Sequence, residues 1–260
     1  MSRPLQLWLI PLVSLAALAA FAWPLISSAV SPDTQAAIPV LAVSAAVVLA
    51  GAILVALGDG VRGAMLVAML GTLTAVGMVL RFLGAGFGGL ETALILFILA
   101  GRAFGPRFGF LLGSTAMIGS SLLWGGVGPW LPFQVFAAGW VGAGAGLLPR
   151  RRTVSRPWIE LAVLAGYGVI ASYAFGLLMN LWFWPFAVGS GTSISFDPSA
   201  GLGPNLVSFF TYSLVTSTLT WDTVRALTTA AGIVLIGRPV LAALRRSPLS
   251  GHTEKYLASG

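Results

Sequence analysis

The sequence has no cysteine, one histidine (His252) and one lysine (Lys255), and these scarcities close off much of the chemistry open to an enzyme. Without thiols there is no disulfide framework, no thiolate nucleophile and no cysteine metal site. With the sole imidazole in the polar C-terminal tail, a serine–histidine hydrolase, a histidine-dependent phosphatase and a histidine zinc site each lack their central group. A P-loop needs Gly-Lys-Ser/Thr, and Lys255 stands in no such motif, so ATP hydrolysis by this chain alone is excluded. Carboxylates are also few. Asp33, Asp59, Glu91, Glu160, Asp197, Asp222 and Glu254 all fall near the ends of apolar runs or between them. A proton relay or sodium site at a bilayer midplane is therefore not expected, and neither is a ring-forming selectivity filter. No enzymatic activity, cofactor or metal is expected.

What fills the sequence instead is apolar. Hydrophobic residues make up 57% of the 260, charged residues 8%, and the mean hydropathy is +0.95. One soluble core cannot hide that much apolar surface, and runs of about 20 residues, enough to cross a hydrocarbon layer of roughly 30 Å, recur along the chain. Backbone groups find no water there, so the runs are predicted to be helices. The 33 glycines fit close packing of such helices. The fold class expected is an all-α membrane protein of about eight transmembrane helices, at roughly 5–29, 38–57, 61–82, 91–104, 107–124, 132–148, 158–184 and 222–238. Arg3 and the Ala20-Phe21-Ala22 triplet resemble a signal peptide. The apolar run is long for one, and we read it as a span.

The net charge of +7 is carried by bases lying between the apolar runs rather than on one patch. With eight spans and a cytoplasmic N-terminus, Arg3, Arg62, Arg102, Arg107, Arg150, Arg151, Arg152, Arg156, Arg238, Arg245, Arg246 and Lys255 fall inside. Only Arg81 and Arg225 fall outside. This positive-inside pattern predicts a multi-pass cell-membrane protein with both termini cytoplasmic, and argues against nucleic acid as the partner. The turn-rich stretch Gly189-Ser190-Gly191-Thr192, Asp197-Pro198, Gly201-Leu202-Gly203-Pro204 breaks the pattern. An outer loop with an interfacial helix is expected across 185–221, a short re-entrant piece being the alternative.

On the outer side of that topology, Arg81 and Glu91 flank a glycine-rich turn. Trp124, Trp130 and Gln134 surround Gly125–Pro129, Asn180 and Trp184 end the seventh span, and Trp221, Asp222 and Arg225 open the eighth. Indole faces with Arg, Gln, Asn and carboxylates at their edges suit a planar polar ligand, so Arg81, Glu91, Trp124, Trp130, Gln134, Asn180, Trp184, Asp222 and Arg225 are the candidate substrate-binding residues. Plainer roles stand beside this one: Trp anchors membrane interfaces, Asp222 and Arg225 are spaced for an i, i+3 pair, and Arg81 and Glu91 can pair to pin their loop. On the opposite side Ala64, Ala68, Gly71 and Ala75 form a small-residue stripe on which another helix can pack.

The stretch Gly101-Arg102-Ala103-Phe104-Gly105-Pro106-Arg107-Phe108-Gly109-Phe110-Leu111-Leu112-Gly113 ends one short span in a Gly-Pro turn and opens a glycine-spaced helix. Gly128-Pro129-Trp130-Leu131-Pro132-Phe133-Gln134 and Gly142-Ala143-Gly144-Ala145-Gly146-Leu147-Leu148-Pro149 follow it. From about residue 62 to 149 this order resembles the substrate-specific component of energy-coupling factor transporters, which capture vitamins and related micronutrients. The resemblance implies a six-helix substrate-binding core at 61–246, a ligand held near the outer face, and partners in the form of a transmembrane coupling subunit and two ATPase subunits. It also implies docking on the coupling subunit through Ala64 and Ala68, which match the family's Ala-xxx-Ala pair. An N-terminal pair at 1–60 and the length of 185–220 depart from the family pattern, and a cytoplasmic tail is expected at 247–260.

Overall fold

A computed structural model describes residues 3–27, 38–58, 64–84, 90–124, 126–149 and 157–247, the side chains of 3–11, 38–39, 49 and 52–58 excepted. The glycine turn after Gly84, the bases Arg62, Arg150–Arg152 and Arg156, and the tail beyond Ser247 lie outside the described residues. Helices occupy α1 (Arg3–Phe21), α2 (Trp23–Ser27), α3 (Ile38–Gly58), α4 (Ala64–Gly84), α5 (Ala93–Phe104), α6 (Pro106–Leu123), α7 (Leu131–Leu147), α8 (Pro157–Ala187), α9 (Leu202–Ser213) and α10 (Thr223–Arg245). A nine-residue π-helix, Leu214–Asp222, joins α9 to α10. Among the described residues there is no strand.

Each apolar run read from the sequence falls on helix, the first on the pair α1 and α2. Among the described residues, three helical stretches are long and apolar enough to cross a membrane: α4, α8 and the continuous run from α9 to α10. Large apolar side chains face outward over much of the surface, among them Leu15, Val48, Val79, Ile170 and Leu235, as lipid contact requires. The fold is all-helical and suited to a membrane.

At the centre stands α5. Its apolar residues run round the whole helix, and Ala93, Leu94, Phe97, Ile98, Leu99 and Ala100 have no exposure at all. Helices α4, α6, α7, α8 and α10 surround it. At 12 residues it is only about 18 Å long, well short of the hydrocarbon thickness. Gly105, at φ +98°, makes the one-residue corner into α6, and Pro106 opens that helix where its missing N–H costs nothing. Backbone then meets backbone: a Cβ on Gly101 or Gly109 would strike the Gly142 carbonyl, and one on Gly113 the Ala138 carbonyl. Small residues set the α5–α6–α7 spacing in the way expected of membrane helices.

The N-terminal helices belong to the same core. Val13, Ala17, Phe21 and Ala46 are buried in one apolar cluster with α5–α8. Phe21 meets Phe133 edge-on at 4.9 Å and Trp140 at 5.6 Å, while Trp140 Nε1 donates to Ser14 Oγ at 3.1 Å and Trp23 Nε1 to the Trp182 carbonyl at 2.9 Å.

The segment 185–221 is part turn and part helix, and its helix is continuous with α10. Helix α8 runs on to Ala187, turns occupy 188–201, and α9 continues through the π-helix into α10 as one 44-residue helical stretch. Asn205 ties the turns to α9, donating to the carbonyls of Asp197 (2.6 Å) and Gly201 (2.8 Å) and accepting from the Asp197 N–H (3.0 Å). Backbone bonds of i, i+5 type carry the chain across a sequence too rich in Ser and Thr to signal a helix.

Candidate functional site

Polar side chains gather at the two ends of α5. At its C-terminal end Arg102 donates from Nε to Glu160 Oε1 at 2.7 Å and from Nη1 to the Leu148 carbonyl at 2.8 Å. Arg245 reaches the same carboxylate from α10, at 2.6 and 3.0 Å. Arg102 and Glu160 are both almost fully buried, so this knot staples α5, α7, α8 and α10 together.

At the N-terminal end lies a cavity of about 440 Å³, within the range of small-molecule sites. Six of the nine sequence-predicted residues line it: Arg81, Glu91, Trp124, Trp130, Gln134 and Arg225. Ser120, Ser121 and Trp221 complete its polar and aromatic wall. The arrangement follows from helix ends. Arg81 is in the last turn of α4, Glu91 precedes α5, Ser120 and Ser121 close α6, and Gln134 is in the first turn of α7. Trp221 is in the last turn of the π-helix and Arg225 in the first turn of α10.

Arg81 gives its hydrogens to three side chains: Ser120 Oγ at 2.7 Å, Ser121 Oγ at 3.4 Å and Gln134 Oε1 at 3.0 Å. Ser120 can accept because its own hydrogen goes to the Ala116 carbonyl at 2.7 Å. Arg81 thus ties α4 to α6 and α7, and the ion pair with Glu91 weighed above is not among those of the described residues. Glu91 instead has Oε1 wholly enclosed without a hydrogen-bond partner among the described residues. The Asp222–Arg225 pair does form, at 2.6 Å, with Arg225 also donating to the Ser172 carbonyl (3.3 Å) and lying 5.1 Å from the centre of the Phe175 ring. Arg225 Nε is enclosed and likewise unpartnered among the described residues. The π-helix accounts for this placement. Ser217 donates to Asp222 Oδ2 at 2.9 Å, and residues five apart share a face in i, i+5 geometry whereas an α-helix would separate them by roughly 140°.

Trp124 stacks on Phe82 at 4.8 Å, and Trp130 Nε1 donates to the Gly126 carbonyl at 3.0 Å. With Trp221 they are half-exposed and frame the mouth. The other three predicted residues are placed elsewhere. Asp222 packs over Gly176 and holds Arg225 rather than lining the wall. Asn180 Nδ2 donates to Ser213 Oγ at 2.9 Å, joining α8 to α9. Trp184 is fully buried against Phe196 and Phe209, with Nε1 on the Ile194 carbonyl at 2.7 Å. Ala64, Ala68, Gly71 and Ala75 are all exposed along α4, away from the rest of the bundle.

The serines were missed because hydroxyls are common in membrane helices and carry no spacing signal. Trp221 was legible beside Asp222 but was not chosen. No protein-family model, no curated protein and no solved structure matches this chain.

Proposed function

We propose that this chain is the substrate-binding membrane subunit of an energy-coupling factor type transporter, taking up a vitamin or related micronutrient. The observation that carries the reading is the cavity: six residues chosen for ligand binding from the sequence, drawn from four separate stretches, converge on one small-molecule-sized space. Its wall offers guanidinium, carboxylate, amide and indole groups, which suits recognition of a small polar molecule.

In this reading the protein crosses the membrane eight times, through α1, α3, α4, α5, α6, α7, α8 and α10, with both termini cytoplasmic. The pole bearing Arg102 and Arg245 faces inward, as the positive-inside bias asks, and the cavity opens outward. A transmembrane coupling subunit docks on the exposed Ala64–Ala68 stripe, and two ATPase subunits supply the energy. Small side chains there let a partner helix approach closely.

Native mass spectrometry of the detergent-purified protein tests the binding role; a co-purifying small molecule is expected, and a ligand-free spectrum from cells grown in rich medium counts against it. Ala68→Trp should abolish pull-down of the coupling subunit, and unchanged pull-down would remove that partner from the proposal. Uptake by this chain alone in liposomes would point instead to a self-sufficient facilitator.

A further inference from the structure

Two enclosed polar atoms on the cavity's residues lack partners among the described residues, and they differ in kind. Glu91 Oε1 accepts; Arg225 Nε–H donates. Enclosed polar groups without partners are costly, and native proteins keep few of them unless something else satisfies them. The other charges there are already engaged: Arg81 by Ser120, Ser121 and Gln134, and Asp222 by Arg225 and Ser217. Formal charge at the cavity also cancels: Arg81 and Glu91 are both on the wall, and Asp222, behind it, neutralises the wall residue Arg225 through their ion pair. A multiply charged anion would bring its charge into a neutral, part-enclosed space and lie beside Glu91, at a desolvation cost with no compensating cation left over. Indole faces at the mouth favour a flat molecule.

We infer that the cavity selects a planar, net-neutral molecule whose polar edge carries both an N–H donor, received by Glu91, and an oxygen acceptor, met by Arg225. This rests on the binding-subunit reading and narrows it to a substrate class: nitrogen heterocycles with ring amide or amino-oxo edges, rather than phosphorylated or simple carboxylate compounds.

The test titrates purified protein, by quenching of indole fluorescence, with three bicyclic probes of similar size. 2-Aminoquinazolin-4-one is neutral with the donor–acceptor edge, 2-naphthoate is a monoanion, and 1-naphthyl phosphate is a dianion. The neutral probe should bind at least ten-fold more tightly than either anion. Glu91→Gln and Arg225→Lys should each weaken it by about ten-fold or more, the scale of a charge-assisted hydrogen bond. Both variants are conservative, Arg225→Lys retaining a cation for Asp222, and near-UV circular dichroism identifies any variant that has lost its fold. Tighter binding of 1-naphthyl phosphate, or improved anion binding in Glu91→Gln, overturns the inferred class while leaving a binding subunit in place. Failure of all three probes, with a ligand still co-purifying in native mass spectrometry, also overturns the class alone. Failure of the probes together with a ligand-free spectrum overturns the class and the binding role alike.

Discussion

Glu160→Ala should be among the most damaging single substitutions in this protein outside the aromatic core. The carboxylate receives three hydrogen bonds from two arginines, at 2.6, 2.7 and 3.0 Å. Its two partners are not equivalent. The Arg102 side chain is 1% exposed and that of Arg245 is 34% exposed. Removing Glu160 takes the carboxylate from the buried Arg102 charge, which keeps the Leu148 carbonyl as an acceptor but gains little water, and breaking a buried pair from one side costs about 3–5 kcal/mol. Arg245→Ala leaves Glu160 paired with Arg102 and removes a partner that water and salt already screen, so about 1 kcal/mol or less is expected. Replacing both buried partners, Arg102→Met with Glu160→Leu, should recover much of the loss, because neither charge then has to be desolvated. Reversible unfolding in mixed micelles across this set measures the effects directly. The Arg102–Glu160 coupling from the double-mutant cycle should be about 2 kcal/mol. A coupling below about 0.5 kcal/mol, or equal losses for Glu160→Ala and Arg245→Ala, would refute the idea that burial decides the strength of this knot.

Other outcomes follow from the packing. Gly142→Ala puts a methyl group against the Gly109 carbonyl and should cost about 1–3 kcal/mol, whereas Gly166→Ala meets nothing within 4 Å and should stabilise α8 by about 0.5–1 kcal/mol; thermal melts of the two variants decide it. Phe21→Ala empties the contact with Phe133 and Trp140 and should cost about 3–5 kcal/mol, read in the same melts, despite lying outside the six-helix core drawn from the sequence. Asp197, in the turns before α9, receives the Ser199 hydroxyl and N–H at 2.6 and 2.8 Å, and these bonds hold its carboxyl below its ordinary value of 3.8. A depressed acid contributes stability above its unfolded value and loses it as pH falls through the folded one, so those turns should loosen only below that ordinary value. Hydrogen exchange over 192–201, corrected for intrinsic rates, should rise there, and at neutral pH in Asp197→Asn.

Helix positions were legible because apolar runs are long and their polar breaks are sharp. The two polar poles were legible for a related reason. Counting spans assigns alternate helix ends to opposite sides, and that parity groups Arg81 with Glu91, Trp130 and Arg225, as the cavity does. Parity fixes an end, not a direction. Asn180 and Trp184 end the expected seventh span on the same side, but the helix continues to Ala187, and its rotation turns Trp184 toward Phe209. The joining of α9 to α10 was illegible because Ser and Thr read as breaks, whereas here Thr216 and Thr211 return their hydroxyls to carbonyls four residues back, at 2.7 and 2.8 Å, and the helix absorbs them. The docking of α1 and α3 was invisible since apolar runs alone do not say which faces meet.

The shortness of α5 gives the two poles their meaning. Only about 18 Å of helix separates Glu91's end from Arg102's, yet that interval is closed. From Ala93 to Ala100 every side chain is apolar and buried, and Gly101 abuts the Gly142 backbone. The nearby hydroxyls are all engaged within the bundle: Ser172 donates to the Gly168 carbonyl at 2.7 Å, Ser114 to the Val135 carbonyl of α7 at 3.2 Å, and Thr115 pairs with Thr74 of α4 at 2.8 Å. A polar ligand leaving the cavity along α5 would have to part contacts set by backbone against backbone, which close-packed interiors resist. Under the transporter reading proposed above, the seam at Gly101, Gly109 and Gly142 is the contact that passage along α5 has to part. If Gly142→Ala were to leave partner-driven uptake intact while raising unfolding stability, the α5–α6–α7 contact would not be the closed gate argued here.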